Sequence, residues 1–271
     1  MLLICLALDV DGTIANGRGV ISPFVASALR QAQEFVAIAL VSGRPLDGIR
    51  FVQRCIGISG PEIGLNGAVF RMGNSTVEVL GDTLSNSLQE AALQRALNMT
   101  YPAACFTYDV DRWFAWGKPE AIEEESTLTG MHPICFPEGE PTAVSGALKL
   151  TFVYDSESAA DKGHVELFAG ALSANVSRSR PRYLELTDRT ATKGAALTHL
   201  RSVLSCTSVI AVGDGLNDIE MFRAADWSYA MPSACEEVLM AASAVLREPA
   251  DQALVRIIRD AAVGLFPTEM S

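Results

Sequence analysis

Two aspartates one residue apart close an apolar run near the start of the chain, in "LALDVDGTIANG" (Leu6 to Gly17). In an extended segment residues two apart face the same way, so Asp9 and Asp11 project together from a strand end. The same spacing also serves an ordinary turn and N-cap, a common use of Asp before Gly. A second acidic group weighs against capping alone, because "VIAVGDGLND" runs another apolar segment into Asp214 and Asp218, with Asn217 between them. Carboxylates within about 4 Å of one another repel by several kcal/mol even at an effective dielectric of about 20, and a divalent cation relieves that conflict. Oxygen ligands without His or Cys favour Mg²⁺, which typically takes one or two carboxylates and a substrate phosphate oxygen. An EF-hand also begins D-x-D, but its final loop position would be Val20 where a bidentate Glu is required.

Two further features suit a phosphate beside such a metal. Ser42 and Gly43 directly follow an apolar run. There a hydroxyl, bare backbone amides and the next helix N-terminus could hold phosphoryl oxygens, although an ordinary strand-to-helix turn reads the same way. Lys193 falls near the start of a helix, where a cation opposes the dipole, so an anion to neutralise would explain it. Taken alone, Lys193 reads as a solvated surface lysine.

The elements that must carry these residues follow from the hydrophobic pattern. Leu2 to Leu8 is a continuous apolar run, as in a parallel strand buried on both faces. A helix is predicted from Ser22 to Gln33, with Ser22 as N-cap and Pro23 first in the helix. Glu34 to Val41 reads as a second buried strand and Leu46 to Cys55 as a second helix. The alternation predicts a right-handed, doubly wound α/β sheet, whose ligands bind at the carboxyl ends of its strands. The far end of the chain repeats it, with the helix "TATKGAALTHLRSVL" and the strand "TSVIAV" ahead of "GLNDIEMFRAA". Between the halves, helix (Leu84 to Asn98), paired strands ("ACFTY", "RWFAW"), helix (Pro119 to Leu128), strand ("ALKLTFVY"), helix (Ser158 to Leu172) and strand ("NVSRS") form an inserted α+β unit. The expected division is a discontinuous core, residues 1–81 and 183–271, around an insert of residues 82–182.

Bulk properties exclude several function classes. The 271 residues, 49% hydrophobic and 20% charged with no low-complexity tract, are those of an ordinary globular chain of one large or two modest domains. A net charge of -11 argues against nucleic-acid or anionic-membrane binding, which depend on clustered Lys and Arg. The opening "MLLICLAL" lacks a basic flank and meets Asp9 too soon for a signal or membrane segment. The six cysteines are scattered without a C-x-x-C pair, so free, mostly buried thiols in the cytoplasm are expected. His132, His164 and His199 lack metal-ligand spacing, and no nucleotide-binding glycine motif occurs.

Taken together, "DVDGT" (Asp9 to Thr13), "VSGR" (Val41 to Arg44), "TKG" (Thr192 to Gly194) and "GDGLND" (Gly213 to Asp218) resemble the four ordered motifs of the haloacid dehalogenase superfamily of phosphohydrolases. Their order and the position of the insert resemble the Cof-type branch with a type IIB α/β cap, and "GLNGAVF" (Gly64 to Phe70) extends the likeness. The resemblance implies a Rossmann-like core, with Asp9 as the nucleophile that forms an aspartyl-phosphate and Asp11 as general acid and then base. It implies Mg²⁺ held by a side-chain oxygen of Asp9, the backbone carbonyl of Asp11, and Asp214, with Asp218 close by. Ser42, Gly43, Asn217 and Lys193 would bind and stabilise the phosphoryl group, with Lys193 also counted as catalytic, and Thr13 and Arg44 join the phosphate-binding set.

The resemblance implies a small phosphorylated metabolite, such as a sugar phosphate, as substrate, with no nucleic acid or membrane partner and no reading of oligomeric state. A phosphomutase of the same superfamily is the alternative, and a phosphorylatable aspartate switch ranks below it. Asp226, where many relatives carry Gly, and "AMPSA" depart from the family pattern outside the motifs. Within the cap, Arg112, Trp113, Trp116, Arg178 and Arg180 are candidate substrate contacts by residue type alone, with Trp113 and Trp116 otherwise assigned to its core and the three arginines to solvated surface.

Overall fold

The computed structural model describes residues 3–16, 19–98, 100–136, 139–168, 173–247 and 249–265. The first part of the chain gives β1 (Ile4–Leu8), α1 (Pro23–Ala32), β2 (Ala37–Val41), α2 (Leu46–Ile56), β3 (Pro61–Gly64), β4 (Val69–Met72) and β5 (Glu78–Val79). There follow α3 (Asn86–Asn98), β6 (Ala104–Tyr108), β7 (Trp113–Gly117), α4 (Pro119–Thr129), β8 (Ile134–Cys135), β9 (Lys149–Val153), α5 (Glu157–Phe168), β10 (Asn175–Ser177) and β11 (Tyr183–Thr187). The last part holds α6 (Lys193–Leu204), β12 (Ser208–Gly213), α7 (Ile219–Ala224), β13 (Trp227–Ala230), α8 (Glu236–Ala241), β14 (Ala244–Val245) and α9 (Ala250–Ala262).

These strands form two sheets, ordered β14-β13-β12-β1-β2-β3-β4-β5 and β10-β11-β9-β6-β7-β8. The first is parallel from β14 to β3, with β4 and β5 antiparallel at one edge. The second is antiparallel except where β7 meets β8. The expected doubly wound parallel core with an α+β insert is therefore the fold.

Strand periodicity explains how β1 comes to be buried throughout. Ile4, Leu6 and Leu8 face one apolar cluster with residues of α1, α2 and α9, whereas Cys5 and Ala7 face another with residues of α6, α7 and α8. The second face is built of small residues, including Ala39 and Ala211, so its helices sit close. A Cβ at Gly194 would stand 2.3 Å from Glu220 O, which shows how tightly α6 meets the start of α7. That contact fixes the N-terminus of α6, and Lys193 with it.

The chain runs outward from β1 through β2 and β3, then returns after the second sheet to lay β12 on the other side of β1. A topological switch point therefore lies at the carboxyl ends of β1 and β12. The second sheet also takes in β11, beyond the 182/183 boundary expected from sequence. All five residues from Tyr183 to Thr187 are buried, and β11 pairs with β9 and β10. Its alternation of apolar and polar residues conceals two buried polar side chains, so the pattern alone does not assign the strand to the insert. The helix expected over Ser158–Leu172 is α5, and residues 169–172 lie outside the described residues. The cysteines are free, but only Cys5, Cys105 and Cys206 are buried, which corrects the expectation of mostly buried thiols.

Candidate active site

Two glycines leave room for the acidic side chains that follow β12, Gly12 from beyond the end of β1 and Gly213 from the end of β12 itself. Gly12 has φ +92°, and a Cβ there would stand 2.1 Å from Asp214 Oδ2. At Gly213 a Cβ would stand 2.4 Å from Asp218 Cγ. Thr13 Oγ1 donates to Asp214 Oδ1 at 3.0 Å, and Asp9 N donates to Val212 O at 2.9 Å. Asp218 is oriented from beneath, since its Oδ2 accepts from the backbone N–H of Asp214 at 2.9 Å and of Gly215 at 2.8 Å.

Asp9, Asp214 and Asp218 each offer an oxygen, and these oxygens lie within 4.8 Å of one another. Lys193 enters from the start of α6, where Thr192 Oγ1 caps Ala195 N. Its Nζ donates to Asp9 Oδ1 and Asp218 Oδ1, each at 2.6 Å. At 1% exposure Lys193 is no surface lysine. Burial pushes the Asp9 carboxyl well above its ordinary range against the pull of Lys193, and the charges of Asp218 and Asp214 add to the rise. Burial and then the charge of Asp218 push Asp214 up to about 6. Burial alone would lower Lys193, but Asp218 and Asp9 outweigh it and hold its pKa above the ordinary lysine value. The cluster is thus a buried carboxylate group short of positive charge, which could hold a metal.

The Asp11 side chain stands outside this cluster. It accepts from Arg44 Nε at 2.8 Å and Nη2 at 2.7 Å, and from Arg180 Nη2 at 2.7 Å. Burial raises its pKa, but the two guanidinium groups outweigh burial and hold the carboxyl well below the usual carboxylate range. Arg44 also donates to Leu128 O, in α4, so it too spans core and insert. Arg180 corrects the expectation of a solvated surface arginine. Arg178 pairs with Asp161, and Arg112 with Asp109. Trp113 is buried as expected, while Trp116 is partly exposed and donates to Gly139 O at 2.7 Å.

On the other side of Asp9, Ser42 Oγ is buried and accepts from Arg44 N at 3.2 Å. Gly43 O accepts from Lys149 Nζ at 2.5 Å. Lys149 and Glu185 form an ion pair of 2.8 Å at 3% and 2% exposure. Glu185 Oε2 accepts from Asn66 Nδ2 at 2.9 Å, and Asn66 Oδ1 accepts from Asn217 Nδ2 at 3.0 Å. The structure thus brings Asp9, Asp11, Thr13, Ser42, Gly43, Arg44, Lys193, Asp214, Asn217 and Asp218 to one place, and adds Asn66, Lys149, Arg180 and Glu185. Of these four, Lys149 and Glu185 carried a signal, being charges set within apolar runs. A cleft of about 860 Å³ opens from Asp11, Gly12 and Asp214 between α4 and Arg180.

The fold and the site together define a hydrolase class. The family model of haloacid dehalogenase-like hydrolases matches residues 6–258, and the chain belongs to that family. Phosphatase YwpJ of Bacillus subtilis is 27% identical over 271 residues, with 89% of this chain and 93% of the relative covered. The crystal structure of a haloacid dehalogenase-like hydrolase from Bacteroides thetaiotaomicron superposes with a TM-score of 0.78 at 24% identity, covering 96% of this chain and 99% of the other. A solved sugar phosphatase of HAD subclass IIB gives a TM-score of 0.74 at 18% identity, covering 97% and 99%. These two likenesses carry the fold.

Proposed function

We propose that the protein is a Mg²⁺-dependent phosphatase of small phosphomonoesters, with sugar phosphates as the leading class. The observation that carries this reading is the convergence of Asp9, Lys193, Asp214 and Asp218 beside the Ser42–Gly43 turn. The oxygen-only donor set and the raised carboxyl groups fit Mg²⁺, with Asp9, Asp214 and the Asp11 carbonyl as ligands and Asp218 close by. When bound, the ion neutralises the carboxylates and the charge of the phosphoryl oxygens.

Asp9 has one carboxylate oxygen on Lys193, which leaves Oδ2 to attack phosphorus. The bond from phosphorus to the ester oxygen breaks as Asp9 becomes an aspartyl-phosphate, and Asp11 gives its proton to the leaving alkoxide. Asp11, now ionised, then takes a proton from the water that releases phosphate, a transfer typically worth about 10² to 10⁴ in rate. Ser42, Gly43 and Asn217 bind the phosphoryl oxygens, and Thr13 and Arg44 border them. Because Arg44 and Arg180 keep Asp11 ionised without substrate, the entering substrate must draw a guanidinium away and Asp11 must take up a proton from solvent before it donates one to the alkoxide. The sugar phosphatase with this fold supports the substrate class.

Phosphate release from sugar phosphates, nucleoside monophosphates, phosphoglycolate and a generic aryl phosphate, with and without Mg²⁺, tests the reading. Metal-dependent release is expected, with kcat/KM ranking the leaving groups. Absence of release across the panel contradicts the reading.

A further inference from the structure

A buried ion pair is weak evidence for stability, because desolvating both charges offsets their attraction. Lys149 and Glu185 form such a pair on the central strands β9 and β11 of the insert, yet both direct further hydrogen bonds into the core. Lys149 reaches Gly43 O at 2.5 Å, and Glu185 reaches Asn66 at 2.9 Å. Asn66 is locked in turn. Its φ of 58° is a left-handed conformation that Asn tolerates, and its N–H donates to Ser42 O at 3.1 Å.

The order of donors and acceptors along this path gives it a direction. An ionised carboxylate only accepts, so Glu185 compels Asn66 to present its NH₂ and to turn its oxygen toward Asn217. That oxygen also only accepts, so Asn217 must present its own NH₂. The oxygen of Asn217 is turned to Gly215, where a Cβ would stand 2.5 Å away. One N–H of Asn217 is used on Asn66, and the second remains for a phosphoryl oxygen.

We propose that Glu185 and Asn66 are positioning residues, a relay by which the seated insert orients the Asn217 amide with its N–H toward the phosphoryl group. The inference rests on the reading of Asn217 as a phosphoryl ligand. Without Glu185 as an obligate acceptor, the Asn66 amide can rotate and present NH₂ to Asn217. Asn217 then turns its carbonyl oxygen toward the phosphoryl oxygens, which repel it. The phosphate side of the site is complete only when β11 rests on the core.

The test measures the affinity of the Mg²⁺-loaded protein for inorganic phosphate by calorimetry, together with kcat and KM for a generic aryl phosphate. Glu185→Gln is expected to weaken phosphate about tenfold or more, the range for a lost hydrogen bond to a charged group, and to raise KM. Adding Asn66→Asp to Glu185→Gln should restore most of the affinity, because the introduced amide then donates to the introduced carboxylate, which in turn accepts from Asn217. A merely structural loss would not be rescued by this exchange. Asn66→Gly keeps the backbone conformation, should weaken phosphate alone, and should make Glu185→Gln without further effect. Native affinity in Glu185→Gln, or a double variant no better than Glu185→Gln, overturns the relay. Should Glu185→Gln fail to fold, native phosphate affinity in Asn66→Gly overturns it instead. Native affinity in Asn217→Ala overturns the site reading beneath it, whereas loss there with none in Glu185→Gln overturns the relay alone.

Discussion

Arg180 Nη2, just ahead of β11, donates at 2.7 Å to Oδ1 of Asp11 at the end of β1, joining insert to core across the cleft. Since Arg44 and Arg180 hold the Asp11 carboxyl low, Arg180→Met should move the alkaline limb of kcat/KM, where the general acid loses its proton, to higher pH. A pH–rate profile checks this. The lowered pKa also stabilises the fold above the unfolded carboxyl value of about 3.9, and that stability is lost as pH falls through the folded value. Arg180→Met should therefore show a smaller loss of Tm on acidification than the native chain.

The raised Asp9 and Asp214 have the opposite sign. A carboxyl whose pKa rises on folding contributes stability below its unfolded value, about 3.9, and loses it as pH rises through the folded value. For Asp214 that window runs up to about 6. The metal-free protein should lose Tm on this account as pH rises through the window, and Mg²⁺ should raise Tm more at pH 7 than at pH 5. Titrating Mg²⁺ at both pH values should also show weaker binding at the lower one, because protons must leave the carboxylates.

Gly12→Ala places a methyl group 2.1 Å from Asp214 Oδ2 at a φ of +92°. Strain of this kind typically costs about 1–3 kcal/mol, so thermal unfolding should show a lower Tm. Displacing Asp214 should also abolish the response of that Tm to Mg²⁺.

Lys193→Met retains much of the side-chain bulk and leaves Asp9 and Asp218 without their shared cation. Removing a preorganised donor of this kind costs about 10²- to 10³-fold in kcat, which steady-state kinetics with an aryl phosphate would report. Lys193→Arg should not restore the rate, because a larger planar guanidinium cannot reproduce the two 2.6 Å contacts that one buried ammonium makes to Asp9 and Asp218.

The core of the site was legible in the sequence because each chemical residue follows an apolar strand or opens a helix, where local pattern specifies position. Asp9, Ser42 and Asp214 all stand directly after such runs. Lys193 could be placed by its conflict with the helix dipole, although its burial could not. Arg180 was hidden because its partner lies 169 residues away, across two sheets. Lys149 and Glu185 carried a signal as charges within apolar runs, but their place at the site was hidden for a related reason. Alternation marks a strand, but it does not say that its polar face meets another domain rather than water. Glu185 lies in β11, a strand that sequence pattern does not tie to the second sheet, so the expected insert ends too early.

Asp9 as the nucleophile is tested most directly by acid-quenching the protein during turnover of an aryl phosphate with Mg²⁺ and mapping the phosphoryl group by peptide mass spectrometry. The phosphoryl group should lie on Asp9, and Asp9→Asn should show neither the adduct nor phosphate release. An adduct on another residue, or turnover retained by Asp9→Asn, would contradict the assignment.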